Sequence, residues 1–150
     1  MKLTEILTPE LITVNLVSTQ KDDVLRELVW MLDMKDEFKN IVLDMVIQRE
    51  TLGSTGVGNG VAIPHGRSLI ADRLMLVCGL SKTGIHYQAI DRKKVFLVFL
   101  LIAPHREVSN LYLPLLGNIA RLASDPAKIS TLKKAKTSNE FIEFLAVMDF

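Results

Sequence analysis

Two hydrophobic rhythms alternate along the chain, one switching at every residue and one returning about every three to four residues. Leu3 to Leu7 predicts a short helical turn that Pro9 ends, and the β-branched run Leu11–Val17 predicts a first strand. Thr19-Gln20-Lys21-Asp22 reads as a capping box, and behind it Val24, Leu25, Leu28, Val29 and Leu32 mark one helical face, flanked by Trp30. A second amphipathic helix is expected to turn Phe38, Ile41, Val42, Met45 and Val46 inward and to end at Gln48-Arg49-Glu50. Leu74–Leu80 predicts a buried strand, and Gly84–Ile90 a polar connection. Val95–Ile102 is apolar throughout and predicts the central strand, closed by Pro104. Helical spacing resumes from Asn110 to Ala123, with Leu111, Leu115, Ile119 and Leu122 on one side. Asp125-Pro126 supplies an N-cap and an N1 proline for a short helix to Lys134. Thr137-Ser138-Asn139-Glu140 is a second capping box, opening a last helix with Phe141, Phe144, Leu145 and Met148 as its stripe. The alternation predicts an α/β fold: a single domain over residues 1–150, with one mixed β-sheet flanked by helices on both sides.

Composition narrows the classes of function. A length of 150 residues suffices for a real core, and 49% hydrophobic residues exclude disorder. Eighteen basic against seventeen acidic residues leave a net charge of +1, so neither nucleic acid nor an anionic membrane is expected as the main partner. The single Cys78 sits in an apolar run and reads as a small buried hydrophobe in a reducing compartment. Met1 to Glu10 shows neither an apolar leader region nor a small-residue cleavage site. Val95–Ala103 is far shorter than the ~20 residues that cross a bilayer. A soluble, cytoplasmic protein is expected, without direct membrane insertion.

The stretch that fits no rhythm is Thr51–Arg67. It holds five of the eight glycines: Gly53, Gly56, Gly58, Gly60 and Gly66. Glycine costs conformational entropy on folding, so such a cluster implies positive-φ turns or close approach of something to the backbone. It then stiffens into Val61-Ala62-Ile63-Pro64 and delivers His65. Pro64 biases Ile63 toward extended backbone, and Gly66 is expected to let the chain leave sharply, aiming the imidazole from the end of a short strand. Three readings compete. One is a structural turn with an incidental histidine. A second, a nucleotide-phosphate loop, lacks G-x-x-x-x-G-K-[ST] and a flanked G-x-G-x-x-G. The third is a histidine that itself carries a phosphoryl group, with loop amides and hydroxyls around its oxygens.

The segment Ser-Thr-Gly-Val-Gly-Asn-Gly-Val-Ala-Ile-Pro-His-Gly, residues 54–66, resembles the active-site signature of the enzyme IIA domains of the fructose–mannitol class. These belong to the bacterial phosphoenolpyruvate-dependent phosphotransferase system, and the class includes the nitrogen-regulatory IIA proteins. The resemblance covers nearly the whole chain and implies the α/β architecture read above. It implies that His65 is the phosphoryl acceptor, a role suited to a neutral imidazole. Arg49 matches the arginine that relatives keep near the site; guanidinium geometry fits phosphoryl oxygens, although alone it would read as a helix C-terminal cation. Arg67 is an alternative for that role. Ser54 and Thr55 are candidates to hydrogen-bond the phosphoryl group, or else to tie down the turn. Relatives commonly place a second histidine before an Ile-Ala-Arg-Leu segment; here Tyr112 occupies that place, ahead of Ile119-Ala120-Arg121-Leu122, and Pro114 is expected to disturb the helix's first turn. A tyrosine can orient a ring or bond an oxygen, but it brings no positive charge at neutral pH. His86 and His105 match no motif and read as surface residues.

The resemblance implies a phosphocarrier that takes its phosphoryl group from phospho-HPr, or from a nitrogen-branch HPr homologue, and passes it to a cysteine of a separate IIB domain. No metal, nucleotide or other cofactor is required of the chain. The alternative is a nitrogen-regulatory IIA protein, in which phosphorylation of His65 switches contacts with a target protein. A third possibility, a IIA-derived protein that no longer transfers, draws on Tyr112.

Overall fold

The structure is a computed structural model, and it describes residues 1–106 and 110–150. Its centre is a pair of long antiparallel strands, β5 (Met75–Ile85) and β6 (Val95–Pro104). Their apolar runs leave no side to face water, so the pair needs cover on both faces. A two-residue strand, β1 (Ile12–Thr13), lies parallel to β5. On the other edge of β6 run β3 (Val61–Ala62) and then β4 (His65–Ser68), both parallel to it. β2 (Gly56–Gly58) pairs antiparallel with β3, and the resulting sheet is mixed.

Strand β6 divides the interior by simple alternation. Leu97, Phe99 and Leu101 pack on one face with Leu115, Ile119 and Leu122 of α3 (Tyr112–Ala123), Ile129 of α4 (Pro126–Leu132), and Phe141 and Leu145 of α5 (Ser138–Val147). Val98, Leu100 and Ile102 pack on the other with Val24, Leu25 and Leu28 of α1 (Lys21–Val29) and Val42 and Val46 of α2 (Asp36–Thr51). Helices on both sides of one mixed sheet is the predicted architecture. Cys78 is buried, and burial pushes its thiol pKa well up, as suits a packing residue. Asp125 caps α4, accepting from the amides of Ala127 and Lys128, and Thr137 caps α5 through the Glu140 amide.

Several local expectations need correction. The first strand is only Ile12–Thr13: beyond it the Asn15 amide turns to the Thr13 hydroxyl, Leu16 keeps one bond to the Leu80 carbonyl, and Val17 and Ser18 give their amides to the Glu27 carboxylate of α1. No capping box forms at Thr19: the N-cap of α1 is Gln20, without a side-chain bond. Ile41 faces outward at 52% exposure. Strand β5 runs past Leu80 to Ile85, with a register shift on the way, and takes in the start of the predicted connection. Pro114 does not break α3; it is the third residue of the helix, where a missing N–H deprives no intrahelical acceptor. Among the described residues, no helix is long and apolar enough to cross a membrane.

Candidate functional site

The glycine-rich stretch folds as a hairpin. Gly58 pairs with Val61 across a two-residue turn, Asn59-Gly60, whose φ values are 55° and 72°. Positive φ at both positions is the requirement of a type I′ turn, which Asn-Gly meets best. Asn59 also donates to the Ala123 carbonyl, tying the turn to the end of α3. Gly56 answers to close approach: a Cβ there would lie 2.6 Å from that of Ala89. The cluster therefore meets both demands made of it, positive φ and tight contact.

Past the hairpin, β3, Ile63-Pro64 and β4 follow one edge of β6 in unbroken register, from Val61 opposite Leu97 to Ser68 opposite Pro104. Pro64 has no N–H to give, and its carbonyl accepts from Leu101 at 3.0 Å. Strand β2 covers the outer edge of β3; among the described residues, none covers that of β4. The open edge begins at His65. His65 thus starts a strand instead of ending one, and Gly66 does not turn the chain. The flexible end of the Met45 side chain of α2 packs in the space a Cβ at Gly66 would take.

Alternation along β4 sends His65 and Arg67 to the α3 face and Gly66 to the α2 face. Around this edge lies a cleft of about 670 Å³, lined by Met45, Arg49 and Leu52 at the end of α2, His65 and Arg67 of β4, and Tyr112 at the start of α3. Of the sequence-predicted residues, the structure brings His65, Arg49, Arg67 and Tyr112 together. Arg49 donates through Nη1 to the Gly53 carbonyl at 3.0 Å, which ties its guanidinium to the loop after its own helix. The Arg67 guanidinium lies 4.5 Å from the centre of the Tyr112 ring. Burial raises the Tyr112 phenol pKa, with Arg67 and then Arg49 pulling it back, so the ring is neutral at neutral pH. The imidazole of His65 is held by its own backbone: Nδ1 is 2.7 Å from the Ile63 carbonyl oxygen.

Ser54 and Thr55 are not in this group. The Ser54 hydroxyl accepts from the Gly56 amide at 3.1 Å and shapes the turn. Thr55 is buried, and both its hydroxyl and its amide donate to the Glu50 carboxylate. Glu50 is the residue that sequence reasoning passed over. It is 7% exposed and also accepts from Lys21 Nζ at 3.1 Å and from the Tyr87 hydroxyl at 3.0 Å. Burial, then the Glu50 carboxylate, push the Tyr87 phenol far up. One acid thereby joins α1, the end of α2, the start of the hairpin and the segment after β5. Its only signal in the sequence is an acidic residue next to Arg49, and helices end that way too often for this to be diagnostic. His86 and His105 are exposed and do not line the cleft. Among the described residues, no group of three or more His, Cys, Asp or Glu side chains could hold a metal ion.

A mixed sheet opened at one edge, with a backbone-held histidine and two arginines at the opening, defines a class. The chain belongs to the family described as phosphoenolpyruvate-dependent sugar phosphotransferase system, EIIA 2, which it matches over residues 5–147. Among its relatives is the nitrogen regulatory protein of Bradyrhizobium diazoefficiens, 31% identical over 148 residues that make up 98% of this chain and 96% of that one. The PTS system fructose-specific EIIABC component of Bacillus subtilis is 30% identical over 147 residues, 97% of this chain but only 23% of that relative's length. Among solved structures, nitrogen regulatory protein IIA-Ntr from Neisseria meningitidis superimposes with a TM-score of 0.86 at 26% identity, over 95% of this chain and 98% of that one.

Proposed function

We propose that this chain is a phosphohistidine carrier of the phosphotransferase system. His65 accepts a phosphoryl group from the phosphohistidine of HPr or of its nitrogen-branch homologue, and the group then passes to a cysteine of a IIB domain. The observation that carries the reading is the contact between His65 Nδ1 and the Ile63 carbonyl oxygen, 2.7 Å long. A carbonyl can only accept, so Nδ1 holds a proton, and in the neutral ring it is Nε2 that carries the lone pair. In the transfer step that pair forms the bond to phosphorus, while the bond from phosphorus to the donor nitrogen breaks and its electrons return to the donor ring. The His65 ring becomes cationic, and its N–H stays on the Ile63 carbonyl. No proton must leave for the group to arrive.

Arg49 neutralises the phosphoryl oxygens, whose charge is the main obstacle in such transfers. Tyr112 stays uncharged beside them. The phosphoryl donor is a protein, for which Leu52, 84% exposed at the cleft, offers an apolar contact. The test is incubation with phosphoenolpyruvate, enzyme I and HPr. An acid-labile, base-stable adduct is expected, and His65→Ala should abolish it. Labelling that persists in this variant, or that maps to His86 or His105, would remove the proposal.

A second reading has its own support. The chain is 31% identical to the Bradyrhizobium nitrogen regulatory protein and superimposes on the Neisseria IIA-Ntr structure with a TM-score of 0.86. In that reading the phosphorylation state of His65 switches contacts with a target protein. Mixing phosphorylated protein with a fructose- or mannitol-type IIB domain separates the two: rapid loss of label to the IIB cysteine supports the carrier, and retained label supports the switch.

A further inference from the structure

We infer that Tyr112 works through the face of its ring, holding Arg67 as a second cation at the phosphoryl site so that two arginines grip the group on His65. This rests on the phosphocarrier reading and adds a positioning residue and a second binding residue to it. Arg67 stands two residues beyond His65 on the same face of β4, the side from which Tyr112 approaches. Its long side chain is exposed, and two different elements restrain it. The Tyr112 ring stacks against the guanidinium at 4.5 Å, and the Pro104 carbonyl at the end of β6 accepts from its Nη1 at 3.4 Å.

Stacking occupies the flat face of a guanidinium and leaves its N–H edges pointing sideways, where a phosphoryl group binds. A platform that holds the side chain in place also reduces the rotamer entropy an arginine loses when it binds an anion. Tyr112 is suited to this part because it is itself held: it is only 5% exposed, packed in the core beneath α3. Arg49 reaches the same cleft from α2, on the opposite face of the sheet. The two arginines thus reach the cleft from opposite faces of the sheet, and His65, which lies between them in sequence, lines the same cleft.

The test reads anion binding and phosphoryl transfer separately. Unphosphorylated protein is titrated with inorganic phosphate while the arginine Nε–H resonances are followed by NMR. In the wild type, the Arg49 and Arg67 signals should move together. Arg67→Ala should weaken phosphate about tenfold. Tyr112→Leu should weaken it roughly threefold to tenfold, the value of the lost stacking, whereas Tyr112→Phe, which keeps the ring, should stay within about twofold. An Arg67 signal that ignores phosphate, or an Arg67→Ala variant that binds as well as the wild type, would overturn the inference. So would Tyr112→Phe falling as far as Tyr112→Leu, because the role would then lie in the hydroxyl. Arg67 is exposed on an edge strand, so its variant decides the matter even if Tyr112→Leu does not fold. With phosphoenolpyruvate, enzyme I and HPr, phosphorylation rates should rank in the same order. Wild-type protein that binds phosphate through both arginines yet never labels at His65 would sink the carrier reading and leave the clamp. Labelling of Arg67→Ala at the wild-type rate would do the reverse.

Discussion

At the scale of single residues, the site is a histidine that shares one cleft with two arginines and a tyrosine. His65 is oriented by Ile63, Arg49 by Gly53, and Arg67 by Tyr112 and Pro104. Each arginine is thus tied to backbone or ring and also lines the cleft. Arg49→Lys tests this most sharply. A lysine keeps the charge but loses the planar pair of donors, so phosphorylation of His65 should slow about a hundredfold while thermal stability stays unchanged. Quench-flow labelling measures the rate, and a value within about threefold of wild type would assign Arg49 to the end of α2 alone. His65 and Arg49 were legible in the sequence because the signature and the helix end lie next to each other in the chain. The pairing of Arg67 with Tyr112 was not, since it joins an edge strand to a helix far along the sequence.

At the scale of elements, the hairpin and the Glu50 network position the strand that carries His65. Adding a methyl group at Gly56 should force the hairpin off Ala89, with Gly56→Ala costing about 1–3 kcal/mol in urea unfolding. An unchanged midpoint would mean that the contact gives way easily. Glu50→Ala should cost more, about 3 kcal/mol or above, because Lys21 and Tyr87 lose their partner inside the protein. If Glu50 matters only for stability, the fraction of this variant that folds should still label at His65. The Asn59-Gly60 dipeptide was a readable hairpin signal. The work of the glycines is geometric: turning the chain, admitting Ala89, and leaving space for Met45 beside β4.

At the scale of the molecule, the two tyrosines report on the two layers, since Tyr87 belongs to the core beneath α1 and α2 and Tyr112 to the core beneath α3, α4 and α5. Both phenols have raised pKa values, chiefly through burial. The folded chain therefore holds protons that the unfolded chain releases above the free phenol value of about 10. That stabilisation is fully present below this pH and is lost as pH climbs beyond it. Tyrosinate absorbance should lag in the folded protein, and the urea midpoint should fall above about pH 10, less steeply in Tyr87→Phe. Tyrosinate that appears near the free-phenol value with the fold intact would show that both rings meet water.

The sequence by itself determined the class. Period-two and helical spacings act within one segment, and they sufficed for the alternation of strands and helices, the apolar centre at Val95–Ile102, the caps at Asp125 and Thr137, and a histidine after a glycine-rich stretch. Strand ends were less readable, because a strand exists only while a neighbour pairs with it; past Thr13 the Asn15 amide turns to the Thr13 hydroxyl, and Val17 and Ser18 give theirs to Glu27. Tertiary structure alone decided that the sheet opens at β4, that Thr55 turns inward to Glu50, and that Arg67 lies on Tyr112. Each of these is a contact between residues distant in the chain, set by which edge is left uncovered and which polar group must find a partner once buried. No local pattern records such contacts, because the energy that selects them arises only when the layers close.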